Sequence, residues 1–352
     1  MQRPIVSALL NVTIATPTNW LMMDFGSRVV VRKTLYSAMR EKIGESHTCV
    51  LDCICKGTTA GVDPQLASED TSIRGPQGMR LKTPNNRALQ PTYDRADLAR
   101  LQRALFESID VRACKGLELG PFDKPLVPRH LGNVKYLDFV DEDTLRKRCA
   151  ANPNRDAAQV VALDYVLGDL SIGERVQERF DYVVASHVIE HVPNMLGWLR
   201  ELSTLLTPDT GRLFLIIPDR RFTFDAERPP TTLGELIEND ELERSRPALR
   251  SVFDGRFYHK PIKSADVWRN PRSTDSIART FKPEQALALM QQAKDTYIDC
   301  HCNVFSDQEF EALIRQSGAF RRHPFRIEKI RATERPFLDF MVLLGMRQCP
   351  VP

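Results

Sequence analysis

Five short apolar runs punctuate the middle of the chain: KGLEL (115–119), NVKYLDF (133–139), QVVALDY (159–165), FDYVVAS (180–186) and GRLFLIIP (211–218). Each has strand length, and the last two are apolar almost throughout, as expected of strands buried on both faces. Between them the spacing changes. NMLGWLRELSTLL (194–206) places Met195, Trp198, Leu199, Leu202 and Leu206 on one helical face, and TPDTG stops it. Upstream, DRADLARLQRALFESI (94–109) starts at a capping Asp94 and carries Leu98, Leu101, Leu105 and Ile109 at helical spacing. Downstream, SDQEFEALIRQSG (306–318) predicts a helix with a Ser306–Glu309 capping box and a closing Gly318. Two last runs, PFRIEKIRA (324–332) and FLDFMVLLGMR (337–347), are joined so closely that they predict an antiparallel pair. The pattern is α/β: a mostly parallel sheet covered by crossover helices, with an antiparallel edge.

After Pro218 the rhythm stops. Residues 219–300 are charged, interrupted by proline and partly helical (TLGELIENDELERS, KPEQALALMQQA), and predict a helical insertion over the sheet after strand five. Residues 1–90 show no comparable order, and KTPNNRALQPTYD predicts a linker. We therefore expect an N-terminal extension or linker over 1–90, with Met79 as an alternative start, and a main domain over 91–348.

Charge separates the two parts further. Residues 1–90 hold 11 Lys and Arg against 7 Asp and Glu, a balance of +4; the remainder holds 38 against 39, a balance of −1. A near-neutral main domain argues against nucleic acid as a partner, because a phosphate backbone selects a basic footprint. The eight cysteines include the groups Cys49, Cys53, Cys55 and Cys300, Cys302, without the paired C-x-x-C spacing of a structural zinc site. They predict ordinary thiols in a reducing compartment. No apolar run approaches a membrane span, and the N-terminus has no clear signal peptide, so a cytoplasmic location is expected.

Three acids fall at strand ends, where open α/β sheets bind ligands. Glu118 precedes the turn Gly120-Pro121; Asp138 ends VKYLD at an offset of 20 (138 − 118), suited to ribose hydroxyls; Asp169 in LGDL can accept from an adenine amino group. The first turn then departs from the dinucleotide pattern. Pro121, Asp123, Pro125 and Pro128 remove amide donors and add a carboxylate where a pyrophosphate would sit. A cofactor with adenosine and no phosphate fits better, and S-adenosylmethionine is one.

The segments LELGP, YLD, GDL, FDYVVASHVIEHVPN and GRLFLIIPD, in this order and spacing, resemble the motifs of class I S-adenosylmethionine-dependent methyltransferases. ASHVIEHVPN is similar to the signature after strand four in the small-molecule branch (methyltransferase type 11/23-like), and the tail HCNVFSDQEFEALIRQSGAF resembles that branch's histidine, capped helix and final strand. The resemblance covers 94–347. It implies a Rossmann-like seven-stranded sheet and a donor held by Glu118, Gly120, Pro121, Asp138, Asp169, Leu170, Ser186 and His187. Asp164 competes for the adenine role, and Asp169 is preferred because it lies 12 residues before Asp181 (181 − 169).

His187, His191 and His301 are the candidate catalytic groups, since a hydroxyl acceptor needs a base near neutrality. His191 and Glu190 have a structural alternative, hydrogen bonding backbone near the sheet. HVIEH also suggests a metal pair, but no third ligand is evident and no metal is expected. Arg220, Arg221 and Tyr258 are candidates for gripping the acceptor, a small molecule or sugar. The expected activity is methyl transfer to oxygen. A non-catalytic S-adenosylmethionine-binding module and a nicotinamide-dependent reductase are the rivals.

Overall fold

The computed structural model of the protein describes residues 95–347. The expected extension over 1–90, with Met79 and the Cys49, Cys53, Cys55 group, lies outside the described residues, as does Asp94.

The chain enters through helix α1 (Arg95–Phe106) and strand β1 (Lys115–Leu119), followed by β2 (Asn133–Asp138), α2 (Glu142–Ala150) and β3 (Tyr165–Val166). Next come α3 (Ile172–Arg175), β4 (Tyr182–Ser186), α4 (Met195–Leu205) and β5 (Arg212–Pro218). Four helices fill the stretch after β5: α5 (Leu233–Glu241), α6 (Leu249–Phe257), α7 (Ser264–Arg269) and α8 (Pro283–Gln292). The chain then closes with α9 (Asp307–Ala319), β6 (Phe325–Arg331) and β7 (Asp339–Met346). The seven strands lie in the order β3-β2-β1-β4-β5-β7-β6. β7 is antiparallel to both β5 and β6, so the reversed strand slots in beside the edge strand β6.

Burial on both faces explains the unbroken apolar runs. Val183 and Ala185 of β4, Leu213, Leu215 and Ile217 of β5, and Phe340, Val342 and Leu344 of β7 pack with α4 and α9. The alternate residues Val184, Phe214, Ile216, Met341 and Leu343 face the other way, toward Leu101, Ala104 and Leu105 of α1. This period of two is the strand's own, and every central strand obeys it. α9 carries the expected capping box, with the Ser306 side chain on the Glu309 N–H and Glu309 on the Ser306 N–H.

The run QVVALDY behaves differently from its prediction. Only Tyr165 and Val166 pair with β2, at Leu137 and Asp138. Val160 instead packs onto Leu145 and Cys149 of α2, and the Val161 N–H donates to the Phe122 carbonyl, so the apolar residues serve a satellite core. The Asp164 carboxylate takes the Tyr136 N–H (2.7 Å), which a ladder partner would otherwise satisfy.

One contact fixes the spacing between β1 and β4. The Tyr182 ring lies over Gly116, and a Cβ there would sit 2.0 Å from Tyr182 Cζ. Gly116→Ala should therefore destabilise the fold by about 1–3 kcal/mol, the usual penalty of overpacking. Adding Tyr182→Leu should recover part of the loss in a double-mutant cycle read by denaturant midpoints. Equal losses with and without Tyr182 would remove that ring as the cause.

Candidate active site

The first turn is organised by carboxylates in place of glycines. Gly120 leaves β1 with φ +66°, and its N–H donates to the Leu137 carbonyl (2.8 Å). A Cβ at Gly120 would meet only Val188 Cγ2, at an ordinary contact distance of 3.6 Å, so the turn lies beside the chain that follows β4 without crowding it. Pro121 is buried behind it. Glu118, 3% exposed, reaches forward: Oε1 accepts from the Leu126 N–H (2.7 Å) and Oε2 from the Val127 N–H (3.0 Å). Asp123, also buried, accepts from Arg155 and from the Asp156 N–H (3.1 Å). Two amides of this loop, at Leu126 and Val127, thus close on a protein carboxylate where a glycine-rich turn would offer its amides to a phosphate. Burial, opposed by the two N–H bonds, pushes the Glu118 carboxyl up from 4.5 to about 7.

Asp138 ends β2 with Oδ1 accepting from the Phe139 N–H (2.7 Å), and burial raises its carboxyl above the usual range. The turn after β3 is tied to it, with Leu167 N–H on the Asp138 carbonyl and Gly168 N–H on the Phe139 carbonyl, both at 3.0 Å. Gly168 takes φ +58°, and Asp169 and Leu170 follow, exposed. The ends of β2 and β3 therefore bring Asp138 and Asp169 to the same edge. Asp164 is committed elsewhere, holding Tyr136 N–H and the Arg129 guanidinium (2.7 Å each).

β4 ends at Ser186, half-buried and paired with Ile216. His187 then adopts φ +53°, a left-handed conformation that costs a non-glycine residue about 1–2 kcal/mol and marks a site held by its surroundings. Its N–H donates to the Ile216 carbonyl (3.0 Å); its buried ring lies with Nδ1 3.5 Å from Glu190 and Nε2 3.8 Å from Asp339. Asp339 is held by Arg100 Nη2 at 2.5 Å.

That bend delivers the turn Ile189–His191, and the segment 299–303 is laced onto it. Cys302 N–H (2.6 Å) and Asn303 N–H (3.0 Å) both donate to the Glu190 carbonyl, and Asn303 Nδ2 donates to the carbonyls of Ile189 (3.1 Å) and Val192 (2.8 Å). The lacing sets the His191 and His301 rings edge to face at 4.9 Å. Each imidazole is held at Nδ1: His191 by Asp299 at 3.0 Å and His301 by Asp225 at 2.6 Å. Burial opposes charge on His191, but the Asp299 hydrogen bond and the Glu190 charge prevail, and its imidazole is pushed up to about 9. Glu190 is 1% exposed, and neither carboxylate oxygen has a hydrogen-bond partner among the described residues. Backbone hydrogen bonding by these two side chains, the structural alternative for HVIEH, is thus not what the structure shows.

The insertion adds a column of rings. Phe281 meets His259 edge-on (5.6 Å), His259 stacks on Phe224 (4.8 Å), and Phe224 tilts against His301 (4.8 Å). The acceptor candidates are otherwise engaged. Arg220 makes a bidentate pair with Glu309 (2.8 and 2.6 Å), and Arg221 binds Asp219 (2.5 Å) and Asp307 (2.6 Å). Tyr258 packs edge-on against Phe257 with the Arg279 guanidinium over its ring at 5.1 Å. Asp225 and Asp299, in TFD and IDCHC, escaped the sequence reading; an acid two residues before His301 was the only local signal for either.

The sheet order, the acids along its carboxyl edge and a first turn with two amides taken by Glu118 fit a Rossmann-like methyltransferase. A family model described as "Methyltransferase domain" matches residues 58–319, about three quarters of the 352 residues, and the chain belongs to that family. It is an S-adenosylmethionine-dependent methyltransferase. Among solved structures, the chain is similar to an S-adenosylmethionine-dependent methyltransferase from Mesorhizobium loti (15% identity, 70% of this chain and 96% of that one, TM-score 0.36). It is also similar to the CcbJ methyltransferase of Streptomyces caelestis (13% identity, 70% and 89%, TM-score 0.36). A third is the magnesium protoporphyrin IX methyltransferase of Synechocystis PCC 6803 with bound SAH (10% identity, 71% and 81%, TM-score 0.33). The search of curated proteins finds no match. Among the described residues no helix is long and apolar enough to cross a membrane.

The raised Glu118 carboxyl has a measurable consequence. Its folded value, about 7, lies above the usual 4.5, so its contribution to stability is full below pH 4.5 and is lost as pH rises through 7, by about 3 kcal/mol in all. Glu118→Gln cannot titrate. The unfolding free energy of wild type minus that of the variant should therefore fall by about that much across this window. A difference that stays flat with pH would show that Glu118 does not titrate there.

Proposed function

We propose that the protein methylates a hydroxyl of a small-molecule or sugar acceptor. The observation that carries this reading is the pair His191 and His301, each fixed at Nδ1 by a carboxylate: His191 on the turn that follows Val188, the nearest contact of Gly120, and His301 on the segment laced onto that turn. Bound S-adenosylmethionine supplies a methyl group already activated on a sulfonium, so the chain's task is to position, desolvate and deprotonate the acceptor. The residues present fit this donor: Gly120 leaves room beside Val188, carboxylates end β2 and follow β3, and the loop amides at Leu126 and Val127 are already taken by Glu118. In this reading Asp138 and Asp169 take the ribose and adenine ends, Gly120, Pro121 and Leu170 shape the walls, and Ser186 and His187 line the methionine side. Nε2 of His301 then faces the acceptor proton, while His191, whose imidazole is pushed up to about 9, stays charged at neutral pH and donates rather than accepts. The ring column from Phe281 to His301 gives a flat or sugar-like acceptor an apolar wall to stack against.

Calorimetric titration of wild type and Asp138→Ala with S-adenosylmethionine, its demethylated product and NADH tests the donor half. Wild type should bind the first two and not NADH, and the variant should lose at least about tenfold in affinity, the loss of one good polar contact. Binding of NADH alone would make the protein a reductase. The acceptor half is tested with labelled methyl donor and a panel of hydroxylated acceptors. His301→Ala should keep donor binding and lose about 10²–10⁴ in transfer rate, the range of a lost general base. Donor binding with no acceptor ever labelled would leave a binding module.

A further inference from the structure

We propose that Glu190, His191 and His301 form a binding site for a divalent transition-metal ion of the zinc type. One ligand atom from each lies within 4.8 Å of the other two. Two imidazoles and one carboxylate are a familiar donor set for a three-ligand catalytic zinc ion, leaving a position for an exogenous oxygen. At zinc–ligand distances of about 2.0–2.1 Å a tetrahedral site needs its ligands roughly 3.4 Å apart, so the three would draw in by about an ångström. The nitrogen-rich set selects against calcium and magnesium, which favour oxygen ligands.

Three independent features support the assignment. The first is the tautomer. Nδ1 of His191 faces Asp299 at 3.0 Å and Nδ1 of His301 faces Asp225 at 2.6 Å, which leaves Nε2 as the remaining nitrogen of each ring. Carboxylates behind metal-binding histidines fix the ring and raise its basicity in this way. The second is Glu190 itself. It is 1% exposed, its two oxygens have no hydrogen-bond partner among the described residues, and Oε1 stands 4.0 Å from His191 Nε2. A buried carboxylate left in that condition is costly, and a cation coordinated at the same point would satisfy it. The third is the frame. The Glu190 carbonyl accepts the N–H groups of Cys302 and Asn303, so backbone, rather than long side chains, sets the spacing of the three ligands. Asp225 is also braced, by Arg228 at 3.6 Å, and Arg228 in turn donates to the His301 carbonyl at 2.6 Å.

The metal-binding claim does not depend on the methyl acceptor. What the ion does there rests on the hydroxyl acceptor proposed above: when bound it would take over the activating role given there to the histidine base, lowering as a Lewis acid the pKa of a coordinated hydroxyl whose proton passes to water, with the histidines as its ligands.

The full chain, stripped with chelator and dialysed, should bind one zinc ion per chain in calorimetry and retain it through gel filtration when metal content is measured. Glu190→Gln and His301→Gln should each weaken zinc at least tenfold, and Asp225→Asn, a positioning residue, by about 10–100-fold. Cobalt in place of zinc should give visible absorption bands that the variants lose. Zinc should also raise the melting temperature of wild type and not of Glu190→Gln. A wild type that binds no stoichiometric zinc overturns the proposal, and so does zinc binding undiminished in all three variants. S-adenosylmethionine titrated into the same samples keeps the two readings apart. Donor binding without zinc sinks the metal site alone, and zinc without donor binding sinks the proposed function alone.

Discussion

The carbonyl of Glu190 accepts two N–H groups from Cys302 and Asn303, residues more than a hundred positions away, and the candidate site hangs on that junction. Every catalytic candidate beyond the strand end depends on it. Without these bonds His191 would sit on a turn after β4, and His301 would sit at the far end of an eighty-residue excursion with no reason to meet it. Asn303 reinforces the junction by reaching the carbonyls on either side, Ile189 and Val192, so four hydrogen bonds from one short segment fix three carbonyls of the turn. Since α9 starts at Asp307, just beyond, the packing of that helix under β6 carries the registry of the junction into the core.

The same economy of backbone governs the donor side. A loop containing three prolines in eight residues has few amides to offer, and two of them, at Leu126 and Val127, go to a single buried carboxylate. Glu118 thus acts on the loop as a phosphate acts on a glycine-rich turn, collecting N–H groups on a negative charge. The difference is that the charge belongs to the protein. A loop built this way has its Leu126 and Val127 amides already taken, while a Cβ at Gly120 would meet only Val188, at 3.6 Å. Burial raises the carboxyl toward neutrality, which is the cost of placing that charge inside.

Much of the fold was legible because central strands buried on both faces write long apolar runs. β4, β5 and β7 stand within two residues of their predicted limits, and the Ser306–Glu309 box announced α9. QVVALDY misled because an apolar run records burial and not pairing: Val160 is buried against α2, and only the last residue of the run, Tyr165, joins the sheet. The strand-end acids were legible as positions, since any such sheet presents its carboxyl edge to a ligand. What they touch was not. Nothing local distinguishes Asp164, which holds Arg129 and the Tyr136 N–H, from Asp169, which stands exposed five residues later. Arg220 and Arg221 looked free for the same reason, since Glu309 and Asp307 reach them only through the return of α9.

The side-chain chemistry of the site was the least legible part, and its separations in sequence say why. His191 meets Asp299 across 108 positions and His301 meets Asp225 across 76. A pattern in a linear sequence can report neighbours on one helix or one strand, but these pairs are made where three loops converge. The third partner of HVIEH was therefore invisible until the insertion folded back. Once it does, the balance of charge becomes the informative quantity. Two carboxylates that are almost wholly buried, Glu190 and Asp225, share the space with one buried guanidinium, Arg228, and a pair of imidazoles. Asp225 has its partners in His301 and Arg228; Glu190 has none in hydrogen-bond contact. With the half-buried Asp299 that holds His191 counted as well, three carboxylates and one guanidinium leave −2 around neutral imidazoles; two protons would cancel it but set two cations edge to face at 4.9 Å. A single dication between the rings and Glu190 balances it without that repulsion and gives both Nε2 atoms a partner, so the electrostatics favour one shared ion over two separate protons.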